Sequence, residues 1–89
     1  MAWTIEFDAG AKKDLSRLDP QMARRITAFL LQRVASLDNP RSMGQPLQGS
    51  TLGAFWRYRL GDYRIVCDLQ DDKIVVLVLR VADRREIYR

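Results

Sequence analysis

The sequence predicts an α+β domain: a mostly antiparallel sheet with helices on one face. Three observations predict it. Trp3, Ile5 and Phe7 alternate with Thr4 and Glu6, the period of a half-buried strand. Apolar residues then recur at helical spacing as far as Leu37, and the second half returns to a period of two around Gly61-Asp62. The order is therefore strand, helical hairpin, and a three-stranded antiparallel meander.

Each element has its own signal. Asp8 suits the N-cap of a short helix in which Ala11, Leu15 and Leu18 share a face. Asp19-Pro20 restarts the pattern, with a capping residue followed by proline at the first helical position. Met22, Ile26, Phe29, Leu30, Val34 and Leu37 form the apolar stripe of the second helix, and Asp38-Asn39-Pro40 ends it. Residues 41–53 are rich in turn formers and read as a long loop, of a length found in functional or mobile segments. Residues 54–60 and 63–69 flank the two-residue turn as a hairpin. Asp71-Asp72 turns the chain into residues 74–81, an almost continuously apolar run expected to be central and covered on both faces.

The 89 residues are expected to make one domain, 1–89, with a modest core. The net charge is +4, and only Lys12, Lys13 and Lys73 of the 15 cations are not arginine. Arginine's planar fork suits phosphates and base edges, so the excess points to a polyanion. A lone cysteine, Cys67, forbids an intrachain disulfide. Without histidine, the commonest general base and metal ligand is missing, which argues against a zinc site; a carboxylate magnesium site stays open although the acids are scattered, and no cofactor is expected. No signal peptide or membrane-spanning run is evident, so the expected location is cytoplasmic, away from membranes.

The turn at Gly61-Asp62 sets a register in which Leu60 faces Tyr63, Arg59 faces Arg64, Tyr58 faces Ile65 and Trp56 faces Cys67. Alternation then sends Trp56, Tyr58, Leu60, Tyr63, Ile65, Cys67 and Leu69 toward the helices and Arg57, Arg59 and Arg64 to the other face. Like charges directly opposed across a ladder cost a few tenths to about 1 kcal/mol. Such a cluster is more readily kept where an anion visits it. The bland alternative is solvation, or pairing with Asp68 or Asp83. The tail adds Arg84, Arg85 and Tyr88, while Lys12, Lys13, Arg17, Arg24 and Arg25 on the helices are either backbone contacts for nucleic acid or a solvated face. Trp3, Trp56, Met22 and Cys67 read as core.

The strings Leu47-Gln48-Gly49-Ser50, Phe55-Trp56-Arg57-Tyr58-Arg59-Leu60-Gly61-Asp62-Tyr63-Arg64-Ile65-Val66 and Val81-Ala82-Asp83-Arg84-Arg85-Glu86-Ile87-Tyr88, in this element order, resemble the RelE/ParE superfamily of bacterial type II toxins, in its RelE-like branch. The resemblance spans the chain and implies a microbial-ribonuclease-like fold. It also implies a ribosome-dependent, metal-free mRNA endonuclease (an mRNA interferase) that cuts in the A site and inhibits translation. The partners implied are the ribosome, mRNA and a cognate antitoxin, the last in a hetero-oligomer. By position, Arg57 and Arg59 match two basic first-strand residues, Arg64 a phosphate-binding arginine, Arg84 the arginine after the last strand and Tyr88 the terminal tyrosine. These five are the catalytic candidates. Arg57, Arg59, Arg64, Arg84, Arg85, Lys12 and Lys13 are the RNA-binding candidates. The chain departs from many relatives in carrying arginine where they have first-strand lysines, and Asp83 where they have histidine. The alternatives are a ParE-like inhibitor of DNA gyrase and an inactive relative that only binds RNA or antitoxin.

Overall fold

The computed structural model describes residues 2–47 and 55–83. Strand β1 (Thr4–Phe7) leads into helix α1 (Ala9–Ser16) and helix α2 (Pro20–Ala28). A π-helical run, Phe29–Val34, continues α2 without a break. A 3₁₀ turn at Pro40–Ser42 precedes the two-residue strand β2 (Gln45–Pro46). Strands β3 (Phe55–Leu60), β4 (Tyr63–Gln70) and β5 (Val75–Asp83) complete a five-stranded sheet of order β1-β5-β4-β3-β2. Only β1 and β5 run parallel; the other pairs are antiparallel.

The core lies between the helices and one face of the sheet. Ala11, Ile26, Leu30 and Val34 meet Tyr58, Ile65, Cys67, Leu69, Val76, Val78 and Val81 there, and all are buried. The hairpin register agrees with the sequence reading at every pair, from Trp56 with Cys67 to Leu60 with Tyr63. Gly61 has φ +58°, and Asp62 has none in the positive range, the pattern of a type II′ turn.

Three expectations need correction. Asp8 and Asp19 occupy the N-cap positions, but neither side chain makes a capping hydrogen bond; both stay exposed. Residues 41–47 are not wholly loop, because the 3₁₀ turn ends at Ser42 and Gln45–Pro46 pairs with Arg57 and Trp56, while residues 48–53 of the expected loop lie outside the described residues. Lastly, β5 is central but not covered throughout: Leu77 and Leu79 are half-buried and Arg80 is exposed.

A β-bulge explains the last point. Val66 pairs with Arg80 but Cys67 pairs with Val78, so Leu79 is an extra residue in β5. Strict alternation from Val76 and Val78 would drive Arg80 into the core. The bulge turns Arg80 outward and Val81 inward instead, where Val81 is 2% exposed.

The bulge also serves the sheet edge. Strand β1 covers β5 only as far as Val78, and α1 runs beside the remainder. Asp14 Oδ2 accepts from the Val81 backbone N–H at 2.8 Å and from Arg80 Nε at 2.9 Å. A carboxylate thus occupies an edge donor that would otherwise invite another strand. Burial pushes the Asp14 carboxyl up, but the Arg80 and Val81 hydrogen bonds outweigh that and hold it below the ordinary carboxylate range.

Candidate nucleic-acid interface

The sheet face opposite the helices carries Arg57 and Arg59 on β3 and Arg64 on β4. Arg59 and Arg64 are direct cross-strand partners, and Arg57 lies two residues along the same face. Their surroundings differ. Arg59 is exposed, Arg57 is half-buried, and Arg64 is only 4% exposed, beside Ala82 of β5 as well as Arg59. A guanidinium stripped of bulk water acts on a nearby anion more strongly than a solvated one. The face therefore grades from an enclosed cation to an exposed one.

Arg57 is held from the side. Gln45 is its ladder partner on β2, and Arg57 Nη2 donates to Gln45 Oε1 at 2.5 Å. Neither Gln45 nor β2 was read from the sequence as part of the site. The one signal was the length of the 41–53 segment.

The short β2 is fixed by an unusual density of contacts. Trp56 Nε1 donates to the Met43 carbonyl at 2.7 Å, and the Tyr58 hydroxyl donates to the Pro40 carbonyl at 2.6 Å. Burial pushes the Tyr58 hydroxyl pKa up, which keeps it a neutral donor. Gly44 lies between them at φ +81°, and a Cβ there would come within 2.8 Å of Trp56 Nε1 and 2.9 Å of Tyr58 Cδ1. Arg41 completes the frame. Its guanidinium donates twice to Asp71, at 2.9 and 3.0 Å, and stands 5.9 Å from the Trp56 ring centroid.

Strand β2 pairs only with Arg57 and Trp56, so among the described residues no strand flanks β3 on the Gly44 side of Gln45, beside Tyr58 and Arg59. A cleft of about 340 Å³ sits there, lined by Phe29, Met43, Gly44, Gln45, Arg57, Tyr58 and Arg59. Phe29 opens the π-helical run and meets Tyr58 edge-to-face, with centroids 6.4 Å apart. None of the lining residues is acidic.

Among the other sequence candidates, Lys12 and Lys13 are exposed on α1, which packs on β5, two strands away from β3. Arg84, Arg85 and Tyr88 lie outside the described residues. Cys67 is fully buried, and burial pushes its thiol up, so it is a core residue and no nucleophile. Among the described residues, no cluster of acids and cysteine is suited to hold a metal ion, and no helix is long and apolar enough to cross a membrane. The cluster can grip a phosphodiester and stabilise added negative charge on it. Arginine is a poor proton acceptor near neutral pH, so Arg57 and Arg59 are suited to charge stabilisation.

A family model described as the ParE toxin of the type II toxin–antitoxin system parDE matches residues 5–88. The chain belongs to the RelE/ParE superfamily of type II toxins. Within it the similarity runs to RelE-type members. Toxin RelG of Mycobacterium tuberculosis is 32% identical over 89 residues, spanning 100% of this chain and 99% of that protein. The mRNA interferase toxin RelE of Escherichia coli is 29% identical, spanning 99% and 92%. The RelBE2 toxin–antitoxin complex of M. tuberculosis superposes with a TM-score of 0.81 at 27% identity, over 94% of this chain and 93% of that one. This chain is thus a RelE-family toxin of the type II class, with the RelE fold.

Proposed function

We propose that this toxin is a ribosome-dependent, metal-free mRNA endonuclease acting in the ribosomal A site, in the cytoplasm. The observation that carries the reading is the co-facial arginine cluster, with one guanidinium enclosed and opposed to another across the ladder. The similarity to an mRNA interferase toxin supports it. In the reaction the 2′-hydroxyl loses its proton and attacks the adjacent phosphorus. The 2′-O–P bond forms, the P–O5′ bond breaks, and the leaving O5′ takes up a proton. Arg57, Arg59 and Arg64 hold the phosphate and stabilise its growing charge. Arg84 joins the clamp and Tyr88 assists by stacking or proton transfer, both assigned from the motif match, with Arg85 and the helix lysines Lys12 and Lys13 binding the RNA backbone. A cognate antitoxin covers the toxin; the relative in the RelBE2 complex was crystallised with its own.

The matching ParE model favours one other reading, a protein that poisons DNA gyrase. Induced expression separates the two. The nuclease arrests growth with loss of translated mRNA, and Arg59→Ala, an exposed position, relieves the arrest. Arrest with intact mRNA and a DNA-damage response overturns the nuclease in favour of the gyrase poison.

A further inference from the structure

The cleft at the open edge of β3 joins an apolar wall to a cationic rim. Phe29, Met43 and Tyr58 supply the wall, and Arg57 and Arg59 the rim. Gln45 stands at the junction. Its Oε1 accepts from Arg57, and its amide nitrogen is the donor it can offer a ligand in the cleft it lines. At about 340 Å³ the cleft has the size of a small-ligand site.

These features select among occupants. An apolar peptide would leave both guanidiniums against its chain without an anion. A purely anionic ligand would leave the aromatic and thioether wall wet. A nucleotide satisfies both, with its base against the wall, its base edge at the Gln45 amide and its phosphate at the arginines. Here we infer that this cleft is a base-binding subsite that seats one nucleotide of single-stranded RNA beside the arginine face, with Phe29 as the packing surface and Gln45 as the edge contact. The inference rests on the RNA-binding part of the function proposed above.

The frame around Gly44 gives the subsite its rigidity. The Trp56 and Tyr58 hydrogen bonds fix the backbone ahead of Gln45 and the pairing of Pro46 with Trp56 fixes it behind, so the amide reaches a ligand without ordering a loop. Gln45 positions Arg57 and contacts the base, which couples recognition of the base to the grip on its phosphate.

The test uses the purified toxin and a five-nucleotide RNA, with each base removed in turn to leave an abasic sugar. Removing the base at one position should weaken binding by roughly 5- to 100-fold, the range for one stacked base, and at the others far less. Phe29→Leu should erase that penalty while affinity for the matching abasic strand stays within about 2-fold, which also shows that the variant is folded. Gln45→Ala, at an exposed position, should narrow the differences among the four bases at that position only. Arg57→Ala should weaken every strand alike. Equal penalties at all positions, a penalty that survives Phe29→Leu, or no binding of any strand overturns the subsite. So does a cleft protected by an antitoxin peptide in a toxin whose RNA binding shows no position-specific penalty. Ribosome-dependent cleavage is read separately. Cleavage without the penalty removes the subsite and keeps the nuclease, and the penalty without cleavage does the reverse.

Discussion

Arg57, Arg59 and Arg64 share one face but do not do the same work. Arg64 is enclosed, Arg57 is steered by Gln45, and Arg59 is exposed. Enclosure and steering pre-organise charge, so losing either cation should cost more than losing a solvated one. Arg57→Ala is expected to slow mRNA cleavage by about 10²–10³-fold, the usual cost of one pre-organised charge-stabilising donor. Single-turnover cleavage on programmed ribosomes measures it, and a change under tenfold would remove Arg57 from the chemistry. Arg57→Lys should recover only part of the rate, because a point charge does not reproduce the fork that Gln45 holds. The opposition of Arg59 and Arg64 was legible in the sequence, since a two-residue turn dictates register and register dictates faces. The burial of Arg64 was not, because it depends on what packs over the face. Gln45 was hidden for another reason: a two-residue strand has no periodicity to read.

At the scale of elements, the segment from Pro40 to Pro46 shapes the site. Gly44→Ala sets a Cβ against Trp56 and Tyr58 and demands a positive φ that an L side chain resists. The expected loss is about 1–3 kcal/mol of stability, read as a lower urea midpoint, together with weaker RNA binding as Gln45 leaves Arg57. Unchanged stability and unchanged binding would show that the frame is dispensable. The second element is the β5 edge. Asp14 is depressed below the ordinary carboxylate range in the folded state, so its contribution is present above the unfolded value and is lost as pH falls through the folded one. Asp14→Ala leaves the Val81 N–H without its acceptor and should cost about 1–3 kcal/mol near neutrality. The difference from the native chain should shrink at pH 3, and urea melts at the two pH values measure it. An equal loss at both would mean that the charge is immaterial. Helix starts, the hairpin and the strand order were readable from caps, proline and alternation, while the last strand, read as 74–81, runs from Val75 to Asp83. The bulge at Leu79 was not, because an apolar run of Val and Leu looks the same whether or not one residue is skipped, and only the outward Arg80 marks the shift.

For the molecule as a whole, one face of the sheet is packed on helices and the other carries Arg57, Arg59 and Arg64, with Asp68 farther along β4. Among the described residues that second face also carries Phe55, 43% exposed. A small domain with such a face gains from a partner that brings carboxylates and apolar groups to it. Adding the cognate antitoxin at about 1,000 times its Kd should stabilise the toxin by about 4 kcal/mol, which for a chain of this length raises Tm by more than about 10 °C. A Tm that does not move would contradict the antitoxin as a covering partner.

The measurement that bears most directly on the central claim is mapping of mRNA 5′ ends after brief induction of the toxin, for the native chain and for Arg59→Ala, on a reporter with and without its start codon. New ends inside translated codons, lost when the reporter is untranslated and reduced in the variant, are the predicted result. Growth arrest with no new ends, or ends that appear equally on untranslated RNA, would contradict a ribosome-dependent nuclease built on this arginine face.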